Sequence, residues 1–240
     1  MDKKVALITG VEGIIGTEIV KSLARKDYAI ALVCHNDFDK ARSLERLCAV
    51  QGVETLLLSG DMNVSGICSK WVSDILTFFQ RLDVLICNVG YNSNGDWFSK
   101  SDDAHFLRDA QDEINGIADL FQAVMQPMSH FKGGRIITTS LPRNFTSESR
   151  DQLLMSSIEG ITKEMAKEYG KHNVTVNAVL PGVMELPNLS VDATDDLWFD
   201  IPIERKGSLS EFNEVVNFLL SETTGYVTGQ TIAVDGGVRL

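Results

Sequence analysis

The sequence lacks the features that mark several large classes of protein. In its 240 residues the longest uninterrupted apolar run is Ala29 to Cys34, far too short to cross a bilayer. The apolar stretch at the start of the chain stops at Gly10, so it does not resemble a secretory signal. Positive charge is scarce, with 22 Lys and Arg against 33 Asp and Glu, a net charge of −11. This balance argues against nucleic acid or a membrane surface as the main partner.

Metal-binding and disulfide patterns are also missing. The four cysteines form no C-x-x-C pair, and the four histidines are scattered without a partner at helical spacing. We therefore expect no metal site, and buried free thiols in a reducing compartment. The expected location is cytoplasmic.

Short apolar runs alternate with amphipathic segments along the whole chain. The predicted strands are Val5–Ile8, Ala29–Val33, Val53–Leu58, Val84–Cys87, Arg135–Thr139, Val174–Leu180 and Thr231–Val234. The predicted helices cover residues 13–26, 38–51, 65–81, 103–129, 152–169 and 210–221. Strands that are apolar throughout and alternate with helices indicate a parallel sheet covered on both faces. The sequence predicts one α/β domain over residues 1–240, a Rossmann-type doubly wound parallel sheet of about seven strands flanked by helices.

One stretch departs from this alternation. Residues 173–204 contain no Lys or Arg, but acidic residues are interleaved there with apolar ones. We assign residues 183–207 to an acidic, apolar-interleaved loop. Two interpretations stay open: a solvated loop with a packed underside, or a mobile lid or partner-facing segment.

A glycine pattern follows the first predicted strand. Gly10, Gly13 and Gly16 are spaced three apart where that strand turns into the first helix. Such a turn allows the free N–H groups of the helix to hold a pyrophosphate. The acidic residue that would bind a ribose is missing at the end of the second strand, which reads Cys34-His35-Asn36.

Several ordered motifs resemble those of the short-chain dehydrogenase/reductase (SDR) family. TGVEGIIG, at residues 9–16, resembles the glycine motif of the family, and Asp61 resembles its acidic residue after the third strand. Cys87-Asn88-Val89-Gly90 is similar to its NNAG motif, and Asn115 to its helical catalytic asparagine. VNAVLPG, at residues 176–182, and the segment from Tyr226 to Gly237 resemble its C-terminal stretches. The resemblance runs from Val5 to Gly237 and implies the SDR fold.

The resemblance implies a catalytic serine, tyrosine and lysine that this sequence does not have in place. Matching residues 158–168 to the family stretch that begins at the lysine puts the lysine on Ile158 and the tyrosine on Leu154. The strand from Gly134 puts the serine on Leu141, with Ser140 as a stand-in if the strand end shifts by one. No Y-x-x-x-K occurs anywhere in the chain. A phenol with a pKa near 10 needs a neighbouring cation to act as a base, so no intact catalytic site is predicted, although Asn115 is retained.

The same comparison predicts a weakened cofactor site. Gly10, Gly13, Gly16, Asp61 and Asn88 remain as residues that could hold the adenosine half of NAD(P). An isoleucine at position 158 cannot bond ribose hydroxyls, and Leu186 stands where the family has a threonine. No cofactor is therefore assigned from the sequence, and NAD(P) is expected to bind weakly at best.

These observations lead to one main hypothesis and two alternatives. The main hypothesis is a catalytically inactive subunit in a hetero-oligomer, a tetramer, with an active SDR sibling. The predicted contacts are residues 103–129, 152–169 and 211–240. The first alternative is an NAD(P)-dependent oxidoreductase with atypical catalytic residues, the candidates being Ser140, Ser156, Ser157 and Asn115. The second is an SDR-like protein that binds a nucleotide or metabolite as a sensor.

Overall fold

The computed structural model describes residues 3–90, 103–131, 133–140, 148–185 and 201–238. Its sheet has seven strands, of which the five inner ones are buried almost throughout and the two edge ones are mostly half-buried. They are β1 (Val5–Ile8), β2 (Ala29–Cys34), β3 (Thr55–Ser59), β4 (Val84–Asn88), β5 (Gly134–Thr139), β6 (Val174–Pro181) and β7 (Thr231–Val234).

The strands run in the order β3-β2-β1-β4-β5-β6-β7, and every pair is parallel. On one side of β1, Val5 pairs with Ala29 of β2; on the other, Ala6 pairs with Val84 of β4. The chain therefore reverses its direction of winding between β1 and β4. In open parallel sheets this switch point is where ligands bind, outside the carboxyl ends of the strands.

Six α-helices in the described part of the chain cover the two faces of the sheet. They are α1 (Ile14–Ala24), α2 (Phe38–Val50), α3 (Ile67–Phe79), α4 (Asp103–His130), α5 (Glu148–Tyr169) and α6 (Leu209–Leu220). Two separate apolar clusters form the core. One contains α3, α4 and α5 residues such as Trp71 and Phe121, and the other contains α1, α2 and α6 residues such as Leu23 and Phe212. The doubly wound sheet predicted from the sequence is thus confirmed.

Most boundaries lie within one or two residues of those predicted, and the starts of the third strand and of the fifth helix are two that moved. The strand expected from Val53 begins at Thr55, because Gly52 has a φ of 72° and the N–H of Val53 still bonds the carbonyl of Cys48 in the turn that ends α2. The fifth helix begins at Glu148, one turn before the predicted Gln152. Neither shift alters the order of the elements.

The base of the acidic loop assigned to residues 183–207 is closed by backbone pairing. Met184 bridges Gly207, with the N–H of Glu185 donating to the carbonyl of Gly207 over 2.8 Å. Ile201 is buried against the chain end. Residues 186–200 lie outside the described part, so the choice between a lid and a solvated loop stays a prediction.

All four cysteines are free and buried, as expected. Burial is the main cause that raises the pKa of the Cys48 thiol to about 11 and that of Cys68 to about 12. Over the described ranges, no group of His, Cys, Asp and Glu is arranged to hold a metal ion. None of the helices in the described ranges combines the length and apolarity needed to cross a membrane.

Candidate functional site

The glycine loop lies at the switch point, directly after β1. Gly10 has a φ of 60°, and its carbonyl accepts from the N–H of Gly13 over 3.0 Å. A Cβ at Gly16 would lie 2.2 Å from the carbonyl oxygen of Gly10. Two of the glycines are therefore required by the local geometry: Gly10 for its backbone conformation and Gly16 for the close approach of helix and loop.

The start of α1 leaves backbone donors open. Gly13 is the N-cap and carries no side chain to cap them, and the first helical bond is donated by the N–H of Thr17 to the carbonyl of Gly13. The N–H groups of Ile14, Ile15 and Gly16 precede that bond and have no carbonyl partner within the helix. Together with the helix dipole they favour an anion at this end of the helix.

Thr9 and Asn88 join the carboxyl ends of β1 and β4. The N–H of Asn88 donates to Thr9 Oγ1 over 3.0 Å, and Asn88 Nδ2 donates to the carbonyl of Thr9. The side-chain oxygen Oδ1 of Asn88 is buried and has no hydrogen-bond partner within the described part of the chain. An acceptor of this kind at the edge of a binding crevice is suited to a hydroxyl or amino donor from a ligand.

Glu113 on α4 supports the loop that follows β4. Its Oε1 accepts from the N–H of Gly90 over 2.8 Å, and Gly90 has a φ of 89°. Burial raises the pKa of Glu113 to about 7, and the bond from Gly90 opposes that rise. The sequence analysis missed this residue; its only sequence signal was its place two residues before Asn115.

Glu12 is a second residue that the sequence analysis missed. It lies in the glycine loop, is 1% exposed, and reaches across to the end of β2. Its Oε1 accepts from the N–H of His35 over 2.7 Å and from that of Asn36 over 3.0 Å. The acidic group that the sequence analysis found missing after β2 is therefore supplied from the opposite side of the crevice.

Asp61 and Asn115 are placed differently from each other. Asp61 Oδ1 accepts from the N–H of Asn63 over 2.9 Å in the loop after β3. That loop packs tightly on α4, since a Cβ at Gly116 would lie 2.7 Å from Asn63 Oδ1. Asn115 lies on the exposed side of α4. The structure thus brings Asp61 to the same edge of the sheet as Asn88.

The positions predicted to carry the acid–base chemistry are apolar and covered. Ile158 is 1% exposed and Leu154 9% exposed, and both belong to the apolar cluster under α4 and α5. Leu141 lies outside the described residues. Ser140 follows β5 and is buried, whereas Ser156 is exposed and Ser157 half-buried.

These residues fit the diphosphate and adenosine parts of a dinucleotide. The open amides of α1 suit a pyrophosphate, and the buried side-chain oxygen of Asn88 suits a ribose or base donor. The fold and this edge define a doubly wound α/β protein of the dinucleotide-binding class.

Comparison with known proteins defines the class further. The family model described as Enoyl-(Acyl carrier protein) reductase matches residues 10–239. The chain belongs to this family, within the short-chain dehydrogenases/reductases.

Whole-length relatives carry the same fold. Nodulation protein G of Azospirillum brasilense is 28% identical over 245 residues, covering 100% of this chain and 99% of the relative. The 3-oxoacyl-(acyl-carrier-protein) reductase FabG of Staphylococcus epidermidis is 28% identical over 243 residues, covering 99% of each chain. The crystal structure of acetoin dehydrogenase from Enterobacter cloacae superimposes with a TM-score of 0.82 at 26% identity, covering 98% of this chain and 96% of that one.

The prediction of a catalytically inactive subunit is wrong. Relatives that match the chain over almost its whole length include a 3-oxoacyl reductase and an acetoin dehydrogenase, and the comparisons favour the oxidoreductase alternative. The error was to equate the predicted absence of one acid–base pair with loss of the reaction. In nicotinamide enzymes the cofactor carries the hydride, and a positioned acid contributes only roughly 10²–10⁴-fold to the rate. Assembly with other subunits stays a prediction.

Proposed function

We propose that this protein is a nicotinamide-dependent oxidoreductase that interconverts a ketone and a secondary alcohol without the tyrosine and lysine of its family. The observation that carries the proposal is the dinucleotide edge at the switch point, with its open α1 amides and the Thr9–Asn88 link. The whole-length likeness to a 3-oxoacyl reductase and an acetoin dehydrogenase supports a small ketone as substrate.

The chain's own residues divide the work of binding. The amides of Ile14, Ile15 and Gly16 would hold the diphosphate, and Asn88 and Asp61 would contact the adenosine half. Glu113 fixes the Gly90 loop through its bond to the backbone and so positions the wall of the crevice. A bound nicotinamide supplies or accepts the hydride.

The substrate oxygen needs a polarising donor, for which Ser140 is our candidate. Asn88 is opposite Thr139 in the sheet, so Ser140 stands beside Val89 at the carboxyl edge. The hydroxyl of Ser140 would donate a hydrogen bond to the carbonyl oxygen of a bound substrate. Leu154 and Ile158, which stand in for the tyrosine and lysine, exclude water from the inner wall and provide no proton.

Without a phenol and an ammonium, the proton comes from solvent at the mouth of the crevice. The turnover number is therefore expected to be lower by roughly 10²–10⁴-fold than with a positioned acid. The proposal therefore predicts slow turnover, not a complete lack of turnover.

The test is hydride transfer by the purified chain. Acetoacetyl-CoA, as a soluble 3-oxoacyl thioester, and acetoin are incubated with reduced or oxidised nicotinamide cofactor, and transfer of deuterium from labelled cofactor to product is measured by mass spectrometry. We expect slow, stoichiometric transfer to at least one ketone.

Ser140→Ala, purified identically, is the control for contaminating reductases. It is expected to lose at least about tenfold in rate while binding cofactor as tightly as the parent, since only the donor to the substrate is removed. Equal transfer by the two preparations, or none by the parent, contradicts the proposal.

A further inference from the structure

The carboxylate of Glu12 occupies the place where two kinds of nicotinamide cofactor differ. In doubly wound folds the adenosine ribose lies between the glycine loop and the end of the second strand, and a 2′-hydroxyl or a 2′-phosphate points to that strand end. Here the strand end is Cys34-His35-Asn36, and the N–H groups of His35 and Asn36 point to a single acceptor, Glu12 Oε1.

From this geometry we infer that Glu12 is a specificity-determining residue, which selects NAD(H) and excludes NADP(H). The inference rests on the proposed function and deepens it by naming the cofactor. Its basis is the charge and bonding of one side chain that is almost completely buried.

The first reason is competition for donors. Free backbone N–H groups at a strand end are the natural ligands of a phosphate, but here both are already taken by a carboxylate. A 2′-phosphate would have to displace that carboxylate, leaving an anion buried without partners. A 2′-hydroxyl does not require the carboxylate to be displaced.

The second reason is charge. The negative charge of Glu12, after burial itself, is a cause that raises the pKa of the neighbouring Cys34 thiol to about 12. The same charge repels the dianion of a 2′-phosphate at short range and in a desolvated place. The carboxylate of Glu12 also accepts a hydrogen bond from the Cys34 thiol, which holds its charge in place at the strand end, whereas a neutral 2′-hydroxyl meets no such repulsion.

The nearby cations do not offset this charge. From His35 to Arg42 the cations are Lys40 and the exposed Arg42, and they stand against Asp37, Asp39 and the Glu12 carboxylate. The backbone N–H of Lys40 is itself held by Asp37 Oδ1 in the cap of α2. The strand end therefore presents more negative than positive charge to the ribose.

The experiment is titration calorimetry of the full chain with NADH and with NADPH, which needs no turnover. We expect NADH to bind at least about tenfold more tightly. In Glu12→Gln, which removes the charge, and in Glu12→Ser, which frees both N–H groups, the ratio of the two Kd values should fall by about tenfold or more. Glu18→Gln removes a carboxylate that pairs with Lys21 on the outer side of α1, and it should leave the ratio unchanged.

A second measurement does not depend on the variants folding. The parent chain is titrated with AMP and with adenosine 2′,5′-bisphosphate, which differ only in the 2′-phosphate, and AMP should bind more tightly. Equal binding of NADH and NADPH, tighter binding of NADPH, or an unchanged ratio in folded Glu12 variants overturns the inference and leaves the proposed function standing. Binding of neither cofactor overturns both.

Discussion

Three buried polar residues around the crevice provide its side-chain hydrogen-bonding groups, which the glycines that identify the crevice cannot do. Glu12 and Glu113 each accept backbone N–H bonds through one carboxylate oxygen, and their second oxygen is buried with no nitrogen or oxygen partner among the described residues. The single side-chain oxygen of Asn88 is buried in the same way. A buried acceptor left unpaired costs stability, so three at one edge of the sheet mark a place that a ligand completes. None of the three needs an unusual residue type, and this is why two of them escaped a search by motif.

Glu113 should make stability depend on pH. Burial raises its pKa from 4.5 in the unfolded chain to about 7 in the folded protein. Between these values the folded state keeps a proton that the unfolded state has lost. Stability from this group is thus fully present below about pH 4.5 and is lost as the pH rises through about 7. The whole change is on the order of 3 kcal/mol.

Glu113→Gln removes this ionisation and keeps an oxygen to accept from Gly90. Urea unfolding of parent and variant is measured at about pH 5 and about pH 8. From the lower to the higher pH, the unfolding free energy of the variant should rise relative to that of the parent by about 3 kcal/mol. Glu159→Gln, which removes an exposed carboxylate paired with Lys163, is the control for loss of charge alone. A difference that is independent of pH would contradict the buried ionisation.

The order and number of elements could be predicted from the sequence, because apolar strands and amphipathic helices each leave a local pattern. The C-terminal motifs form hydrogen bonds that join β6 to the segment before β7. Asn177 Nδ2 donates to the carbonyl of Val227 over 2.9 Å, and the N–H of Gln230 donates to Asn177 Oδ1 over 3.1 Å. Such motifs identify a fold and say little about chemistry. The contacts of Glu12 and Glu113 join residues 23 apart and could not be predicted from local pattern.

Two glycines in helices differ in whether a side chain would fit at their position. At Gly16 a Cβ would meet backbone atoms of Gly10 and Val11 that cannot move without breaking the loop, whereas at Gly160 on α5 nothing lies within 4 Å. Gly16→Ala should therefore destabilise the protein by about 1–3 kcal/mol and weaken cofactor binding. Gly160→Ala should stabilise it by about 0.5–1 kcal/mol, because it lowers the entropy of the unfolded chain. Thermal and urea unfolding of both variants give the comparison, and a Gly16→Ala protein as stable as its parent would refute the close approach.

At the scale of the whole molecule, the doubly wound sheet is packed between two apolar clusters in the described part, and we therefore expect the chain to fold by itself. Both faces of the sheet are covered by the chain's own helices in the described part. The crevice residues named above also come from this one chain. The core and the glycine-loop edge of the described part are therefore built from residues of this chain.

This leads to an expectation for the purified protein. Expressed without any other dehydrogenase, the chain should elute in size-exclusion chromatography as a symmetric peak whose native mass corresponds to copies of this chain alone. Hydride transfer should follow the protein concentration across that peak, because catalysis and folding reside in the same polypeptide. Ser140→Ala should elute at the same volume with the activity reduced, which separates loss of chemistry from loss of assembly. Activity that appears only when a second dehydrogenase subunit is mixed in would show that the proton or hydride chemistry lies in another chain, since this crevice would then bind a dinucleotide without reacting.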